Sequence, residues 1–236
     1  MASPDPTKKL NALLKKLRST YGETVADPAL EGCPPEGDPL VWSFVFAFMA
    51  WEASTSRAVI ATKRIHQSVV DYNELRVCLN DELVSIIGDR YPRALERATR
   101  LRSALNDLYR REHSVSLRRL IDMPKREARQ FLDSLDGTPG FVSGRMLLLN
   151  LGGHAFPLDH RLHQALVAEG AAPADFDEAA AWLERTFRVG EAAPAYALLE
   201  AWMNDRPAPK APARTRRSDK GTAPTSGGRT KKATKS

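Results

Sequence analysis

Apolar residues recur every three or four positions through most of the chain, which is the spacing of a helix face that packs against a core. In the first segment these positions are Leu10, Leu13, Leu14 and Leu17, and the turn at 21–22 closes the predicted helix. The segment 40–54, LVWSFVFAFMAWEAS, is apolar on nearly every side, so it predicts a helix that is buried all round yet too short to span a membrane. No alternating pattern is long enough to require a sheet. The chain therefore predicts an all-α fold.

The remaining helices follow from the same spacing. Pro92 predicts the first turn of a helix whose apolar face carries Leu95, Ala98, Leu101, Leu105 and Leu108. Further helices are expected over 116–122, 124–134, 141–151, 159–168, 175–187 and 192–203. We expect a two-lobed body followed by a tail. The predicted segments are an N-terminal helix and linker (1–38) that pack with the C-terminal lobe, a helical lobe (39–134), a second lobe (135–205) and the tail (206–236).

Charge is concentrated in that tail. Of the formal net charge of +6, the tail contributes +9, with ten Lys/Arg against Asp219, so the rest of the chain is −3. The tail has no large apolar residue and is predicted to be disordered. Spaced cations on a flexible chain bind a polyanion by releasing counterions, and nucleic acid is the first candidate; a solubilising tail or an arm for acidic proteins or membranes is the alternative. The candidate nucleic-acid contacts here are Arg214, Arg216, Arg217, Lys231 and Lys232.

Composition narrows the class of protein further. The chain has 236 residues, 42% hydrophobic and 27% charged, which suits a globular body. Cys33 and Cys78 are too few for a disulfide framework or a four-thiolate cluster, and the histidines show no ligand motif, so we expect no cofactor and no metal. Without a membrane span or an apolar N-terminal run, a cytoplasmic location is expected, with association to the nucleoid if the protein is bacterial. We also expect a monomer. The segment 89–129 contains twelve Lys/Arg and six Asp/Glu, which suggests either a stripe of cations that binds phosphates or a solvated helix face.

The segment 124–151 predicts two helices joined by a tight turn. PKREARQFLDSL and FVSGRMLLLNL have helical spacing, and DGTPG between them is short enough only for a hairpin. Gly137 and Gly140 permit backbone conformations that are closed to other residues, and the second helix begins with free amides. Such a turn suits a phosphate, although helical proteins also use it for connection alone.

This segment resembles the helix-hairpin-helix DNA glycosylases of the endonuclease III superfamily. LDGTPGF covers the family's hairpin, LLLNLGG the end of its helix and FPLDHRLHQAL its aspartate step; a fainter likeness extends over about 8–204. The resemblance implies that double-stranded DNA is the partner, that a damaged or mismatched base is flipped out, and that Asp159 is the catalytic aspartate. From its position alone, Asp159 also suits the cap of the next helix.

The departures from the family pattern refine this prediction. The family's lyase lysine is replaced by Phe141, or by Val142 in the alternative register, so a monofunctional DNA glycosylase of base-excision repair is expected and AP-lyase activity is not. Pro139 has no backbone N–H to donate to a phosphate. Glu52 stands where many members of the family have glutamine. The expected DNA contacts in the body are Gly137, Thr138, Gly140, Phe141, Val142, Glu52 and Arg161. The alternatives are a catalytically inactive DNA-binding relative and a helical scaffold for protein interaction.

Overall fold

Eleven α-helices account for most of the secondary structure of the described residues, together with a 3₁₀ turn and a π-helical segment, and no strand occurs among them. The computed structural model describes residues 5–22, 29, 33 and 37–206. The α-helices are α1 (Pro6–Tyr21), α2 (Pro39–Ala50), α3 (Thr55–Ser68), α4 (Tyr72–Val77), α5 (Asn80–Ile87), α6 (Ala94–Glu112), α7 (Lys125–Ser134), α8 (Gly140–Arg145), α9 (His160–Ala168), α10 (Phe176–Thr186) and α11 (Ala192–Asp205). The 3₁₀ turn is Arg118–Ile121 and the π-helical segment is Met146–Asn150. The all-α prediction is confirmed.

Helix α2 is the centre of the fold. Every side chain from Leu40 to Ala50 is buried, because a helix that is apolar all round can be satisfied only by neighbours on all sides. It packs against α3, α6, α8 and the π-helical segment. Asp38 caps its N-terminus by accepting a hydrogen bond from the Leu40 N–H, 2.9 Å away. The first and last helices also meet, since α1 packs against α11.

Four expectations about helices need correction. The helix expected over 40–54 ends at Ala50, and the helix expected over 116–122 is only the 3₁₀ turn Arg118–Ile121. Helix α6 begins at Ala94 rather than at Pro92, because Arg93 adopts a left-handed backbone conformation (φ 52°). The expected single helix 141–151 is α8 followed by the π-helical segment, in which the Leu151 N–H reaches back five residues to the Met146 carbonyl at 3.1 Å. Helices α3, α4 and α5 were not predicted.

The compact body ends at Arg206. Residues 207–236 lie outside the described residues, and with them the five candidate tail contacts, Arg214, Arg216, Arg217, Lys231 and Lys232. None of the described helices is both long enough and apolar enough to cross a membrane.

Candidate active site

Asp159 is buried at the start of α9, and both of its carboxylate oxygens accept backbone hydrogen bonds. Oδ1 accepts from the Leu162 N–H at 2.8 Å, which is the helix cap that the sequence predicts. Oδ2 accepts from the Glu52 N–H at 3.0 Å, across 107 residues of chain. The side chain is only 6% exposed. Burial raises the pKa of Asp159 above its ordinary value and the Glu52 carboxylate adds to this, whereas the two backbone donors and Arg161 oppose it.

Glu52 lies in the loop between α2 and α3 (residues 51–54), and its carboxylate is folded inward. Its backbone is left-handed, with φ 54°, a strained conformation for a residue other than glycine. Oε1 accepts from the His160 N–H at 3.0 Å and lies 2.8 Å from His160 Nδ1. The His160 ring stacks on Phe176 with centroids 4.4 Å apart. The 51–54 loop is thus attached to the first turn of α9 by both the backbone and the side chain of Glu52.

A small cavity adjoins the Asp159 carboxylate. Its volume is about 30 Å³. Its lining includes Ala50, Phe141, Tyr196, Glu200 and Asn204. This volume accommodates two or three water molecules, which need about 10–15 Å³ each, but not a nucleobase. In this conformation the Asp159 cavity therefore admits water to the carboxylate and excludes a base.

The hairpin, residues 135–140, has the expected shape, but its two glycines differ in role. Gly137 has φ 79°, and a Cβ atom there would lie 3.1 Å from the Arg100 carbonyl oxygen. Gly140 has no positive φ, and a Cβ atom there would meet nothing within 4 Å, so the expectation that its backbone is closed to other residues is wrong. The Thr138 N–H closes the turn by donating to the Leu135 carbonyl at 3.1 Å.

The side chains that follow the hairpin point into the protein. Phe141 is 8% exposed and Val142 is fully buried, so any contact they make with DNA has to come from their backbone. The Val142 N–H is already bound to the Pro139 carbonyl at 2.8 Å. The Phe141 and Gly140 N–H groups have no hydrogen-bond partner within 37–206, as expected for the first turn of a helix. Two free amides therefore remain at the start of α8.

Asp107, on α6, fastens the hairpin to the rest of the body. Its Oδ2 accepts from the Asp136 N–H at 3.1 Å and from Arg111 at 2.5 Å, and Oδ1 accepts from Arg110 at 3.1 Å. Burial opposes ionisation, but the Asp136 amide and the two guanidinium groups lower the pKa of Asp107 below its ordinary value. The position of the hairpin is therefore fixed by a charge that the sequence analysis did not single out.

Solved structures of DNA glycosylases share this fold. An endonuclease III trapped covalently on DNA aligns with a TM-score of 0.63 and 11% identity, over 83% of this chain and 85% of that chain. A thermostable thymine-DNA glycosylase aligns with a TM-score of 0.58 and 13% identity, over 87% and 90%. The Clostridium acetobutylicum 8-oxoguanine glycosylase/lyase, bound to duplex DNA with cytosine opposite 8-oxoguanine, aligns with a TM-score of 0.57 and 15% identity, over 83% and 68%.

This chain has the fold of the helix-hairpin-helix DNA glycosylases. The predicted fold is therefore confirmed. No protein-family model matches the sequence, and no curated protein matches it either. The hairpin, the 51–54 loop and the start of α9 meet at one place in this protein. Glu52 contacts Asp159, and Phe141, the second residue of α8, lines the Asp159 cavity.

Arg97 is the residue of this region that sequence reasoning missed most clearly. It is fully buried on α6 and donates to the carbonyl oxygens of Phe48 and Trp51, which are otherwise left open at the end of α2, and to the Pro92 carbonyl at 3.1 Å. Burial lowers its pKa to about 10. The available signal was its spacing: Arg97 stands four residues before Leu101, on the apolar face of α6.

The remaining candidates fall into separate environments. Arg161 is half-buried and donates to the Ala53 carbonyl, so it too holds the 51–54 loop. His163 lies close to the Pro173 carbonyl, and His154 close to the Glu184 carbonyl, at 3.0 and 2.7 Å. Within the described ranges no three His, Cys, Asp or Glu side chains converge as a metal site would require.

Proposed function

We propose that this protein binds double-stranded DNA and acts as a monofunctional DNA glycosylase on a flipped damaged or mismatched base. One observation carries the proposal: Asp159 presents a buried carboxylate to a water-sized cavity beside the helix that the hairpin opens. The fold it shares with solved DNA glycosylases supports the same conclusion.

The chemistry follows from that carboxylate. As the bond between the deoxyribose carbon and the base nitrogen breaks, positive charge develops on the sugar, and a fixed anion beside it is stabilising. A water molecule adds to the sugar carbon, its proton passes to Asp159, and the base leaves with the electron pair of the broken bond. Phe141 and Val142 provide no amine for a Schiff base, so the product is an intact abasic site.

A flipped nucleotide requires the Asp159 cavity to enlarge. The Glu52 N–H and the Asp159 carboxylate have to separate for the 51–54 loop to move away, which frees Oδ2 for water or sugar. The reaction needs an ionised Asp159, whose pKa is raised by burial. Base release is therefore expected to rise with pH across an interval above the ordinary range of an aspartate.

The test is base release from a panel of duplexes, each with one damaged or mismatched base, developed by alkaline cleavage of abasic sites. Asp159→Asn is compared with the wild type and with Asp71→Asn, since Asp71 caps α4 by accepting from the Glu74 N–H at 2.8 Å and lies outside the site. Release that is lost only in Asp159→Asn, with duplex binding retained, supports the proposal. Release that persists in Asp159→Asn refutes the assigned role.

A second candidate function is DNA binding without chemistry. Its specific support is the closed site, in which both Asp159 oxygens are engaged and the cavity holds only about 30 Å³. Tight duplex binding by the wild type without release from any duplex would favour this candidate. Absence of duplex binding would refute both.

A further inference from the structure

Three guanidinium groups surround one tryptophan at the end of α2. The guanidinium carbons of Arg93 and Arg100 lie 5.3 Å from the Trp51 ring centroid, and that of Arg97 lies 5.6 Å from it. Each of these distances is within the range of a cation–π contact. Three positive charges therefore lie around the Trp51 ring, two from α6 and one from Arg93, the residue that precedes this helix.

Two more arginines reach the same region from other helices. Arg57 on α3 lines the same surface pocket as Tyr91, and Arg161 on α9 donates to the Ala53 carbonyl, two residues after Trp51. Burial raises the pKa of the Tyr91 hydroxyl to about 12, and both arginines oppose this rise. Tyr91 itself is fixed, since its hydroxyl donates to the Met49 carbonyl at 2.8 Å. We name the five arginines the Trp51 arginine cluster: Arg57, Arg93, Arg97, Arg100 and Arg161.

The acidic groups near the cluster do not balance it. Glu96 bridges Arg93 at 3.1 Å and Arg100 at 3.0 Å. Glu52 contributes a second carboxylate, which is already engaged with His160, and Asp159 a third, which interacts with Arg161. Five guanidinium groups therefore face three carboxylates. Because like charges repel, such a concentration is stabilised when an anion lies across it.

The position of the cluster connects the hairpin to the candidate active site. Arg100 donates to the Gly137 carbonyl at 3.4 Å, so one edge of the cluster touches the hairpin. Trp51 directly precedes Glu52, and Arg161 donates to Ala53, so the other edge is the 51–54 loop. Arg93 and Arg100 keep 46% and 40% of their side chains exposed, which leaves them available to a partner.

We propose that the Trp51 arginine cluster is a phosphate-binding track, along which a DNA backbone runs from the hairpin past Arg100 and Arg93 to Arg57. Guanidinium groups suit this task because their planar N–H forks bind two phosphate oxygens at once. Arg97 and Arg161 have a different part in the track, since their donors hold carbonyls of the protein and keep Trp51 and the 51–54 loop in place. This inference rests on the proposed binding of duplex DNA and adds the surface that grips it.

The experiment uses the full chain and measures duplex binding across a range of salt concentrations. For each phosphate that a variant no longer neutralises, the slope of log K against log [salt] becomes shallower by about 1. Arg93→Gln/Arg100→Gln should therefore shift the slope by about 2, and adding Arg57→Gln by about 3. The matched control is Arg18→Gln/Arg185→Gln, which removes two arginines from α1 and α10 and leaves the total charge equal to that of the first pair.

Folding is checked by urea denaturation, and Arg93→Lys/Arg100→Lys keeps both charges should the glutamine pair be unstable. Because the salt slope depends on the number of phosphates neutralised and not on fork geometry, the lysine pair should keep most of the wild-type slope. Equal slopes for the cluster pair and the control pair would overturn the track while leaving DNA binding standing. No duplex binding by the wild type would overturn the proposed function and the track together. A cluster pair that loses affinity for polyglutamate but not for duplex would assign the surface to an acidic protein and overturn it as a DNA track.

Discussion

Gly137 offers the sharpest test of how the hairpin is held. With φ 79° it lies in the left-handed region, where an alanine costs about 1–2 kcal/mol. An added Cβ would also sit 3.1 Å from the carbonyl oxygen and 3.2 Å from the Cα of Arg100, which belong to the backbone of α6 and cannot rotate away. We therefore expect Gly137→Ala to lower the free energy of unfolding by about 2–3 kcal/mol, measured by urea denaturation of the full chain.

Two other glycines separate the components of that cost. Gly152 has φ 63° and open space around its Cβ position, so Gly152→Ala should lose only the conformational part, about 1 kcal/mol. Gly140 has neither a positive φ nor a neighbour within 4 Å, so Gly140→Ala should leave stability unchanged or raise it slightly. If Gly137→Ala and Gly152→Ala cost the same, the argument from crowding against α6 is refuted. If Gly140→Ala weakens duplex binding without loss of stability, its small size serves the approach of a phosphate.

Three further predictions concern buried charges. Arg97→Met should lower the free energy of unfolding by roughly 3 kcal/mol, because it leaves buried carbonyls without donors. The control Arg126→Met, at an exposed position, should change this free energy by less than about 0.5 kcal/mol. Similar losses for both variants in urea denaturation would contradict the prediction. Since the pKa of Asp107 is lowered, its charge stabilises the fold above the ordinary aspartate pKa, and this stabilisation is lost as pH falls. Asp107→Asn should therefore lower the free energy of unfolding more at neutral than at acidic pH. A loss that does not depend on pH would count against this prediction. The pKa of Asp159 is raised, so the pH dependence of its contribution to stability has the opposite sign: the protonated carboxyl favours folding at low pH. Asp159→Asn should therefore gain stability relative to the wild type as pH rises. Parallel curves of unfolding free energy against pH for the two proteins would refute this.

The parts of the fold that could be predicted are those with a clear local pattern in the sequence. Helix α2 is recognisable because its apolar residues leave no polar face, and the hairpin because Gly and Pro interrupt two helical patterns within five residues. Helices α4 and α5 span only 6 and 8 residues, too short for their spacing to stand out from the neighbouring turns. The start of α6 was misplaced because a proline marks a first turn by default, whereas Arg93, whose guanidinium contacts Trp51, has a left-handed backbone that the sequence does not reveal.

The candidate site was predictable only in part because its decisive contacts join distant segments. The capping role of Asp159 can be inferred from its place before a helix, but the bond from Glu52 crosses 107 residues and has no local pattern. A similar limit applies to Asp107, whose partners include the Asp136 amide 29 residues away. Local propensity identifies which residues are available for a site, whereas packing decides which of them meet.

The contact between Glu52 and Asp159 also sets the energetic condition for the proposed function. A hydrogen bond to a charged group contributes about 1.5–3 kcal/mol, and opening the Asp159 cavity to a base breaks this one. The 51–54 loop carries Glu52 and lies beside the Trp51 arginine cluster, so a DNA backbone bound along the cluster would act on the same loop that closes the site. Phosphate contacts that form only when the loop has moved would offset the broken hydrogen bond, and binding would then favour the open site over the closed one. By this reasoning, the closed cavity and a functional Asp159 are compatible, provided that DNA binds the open conformation more tightly.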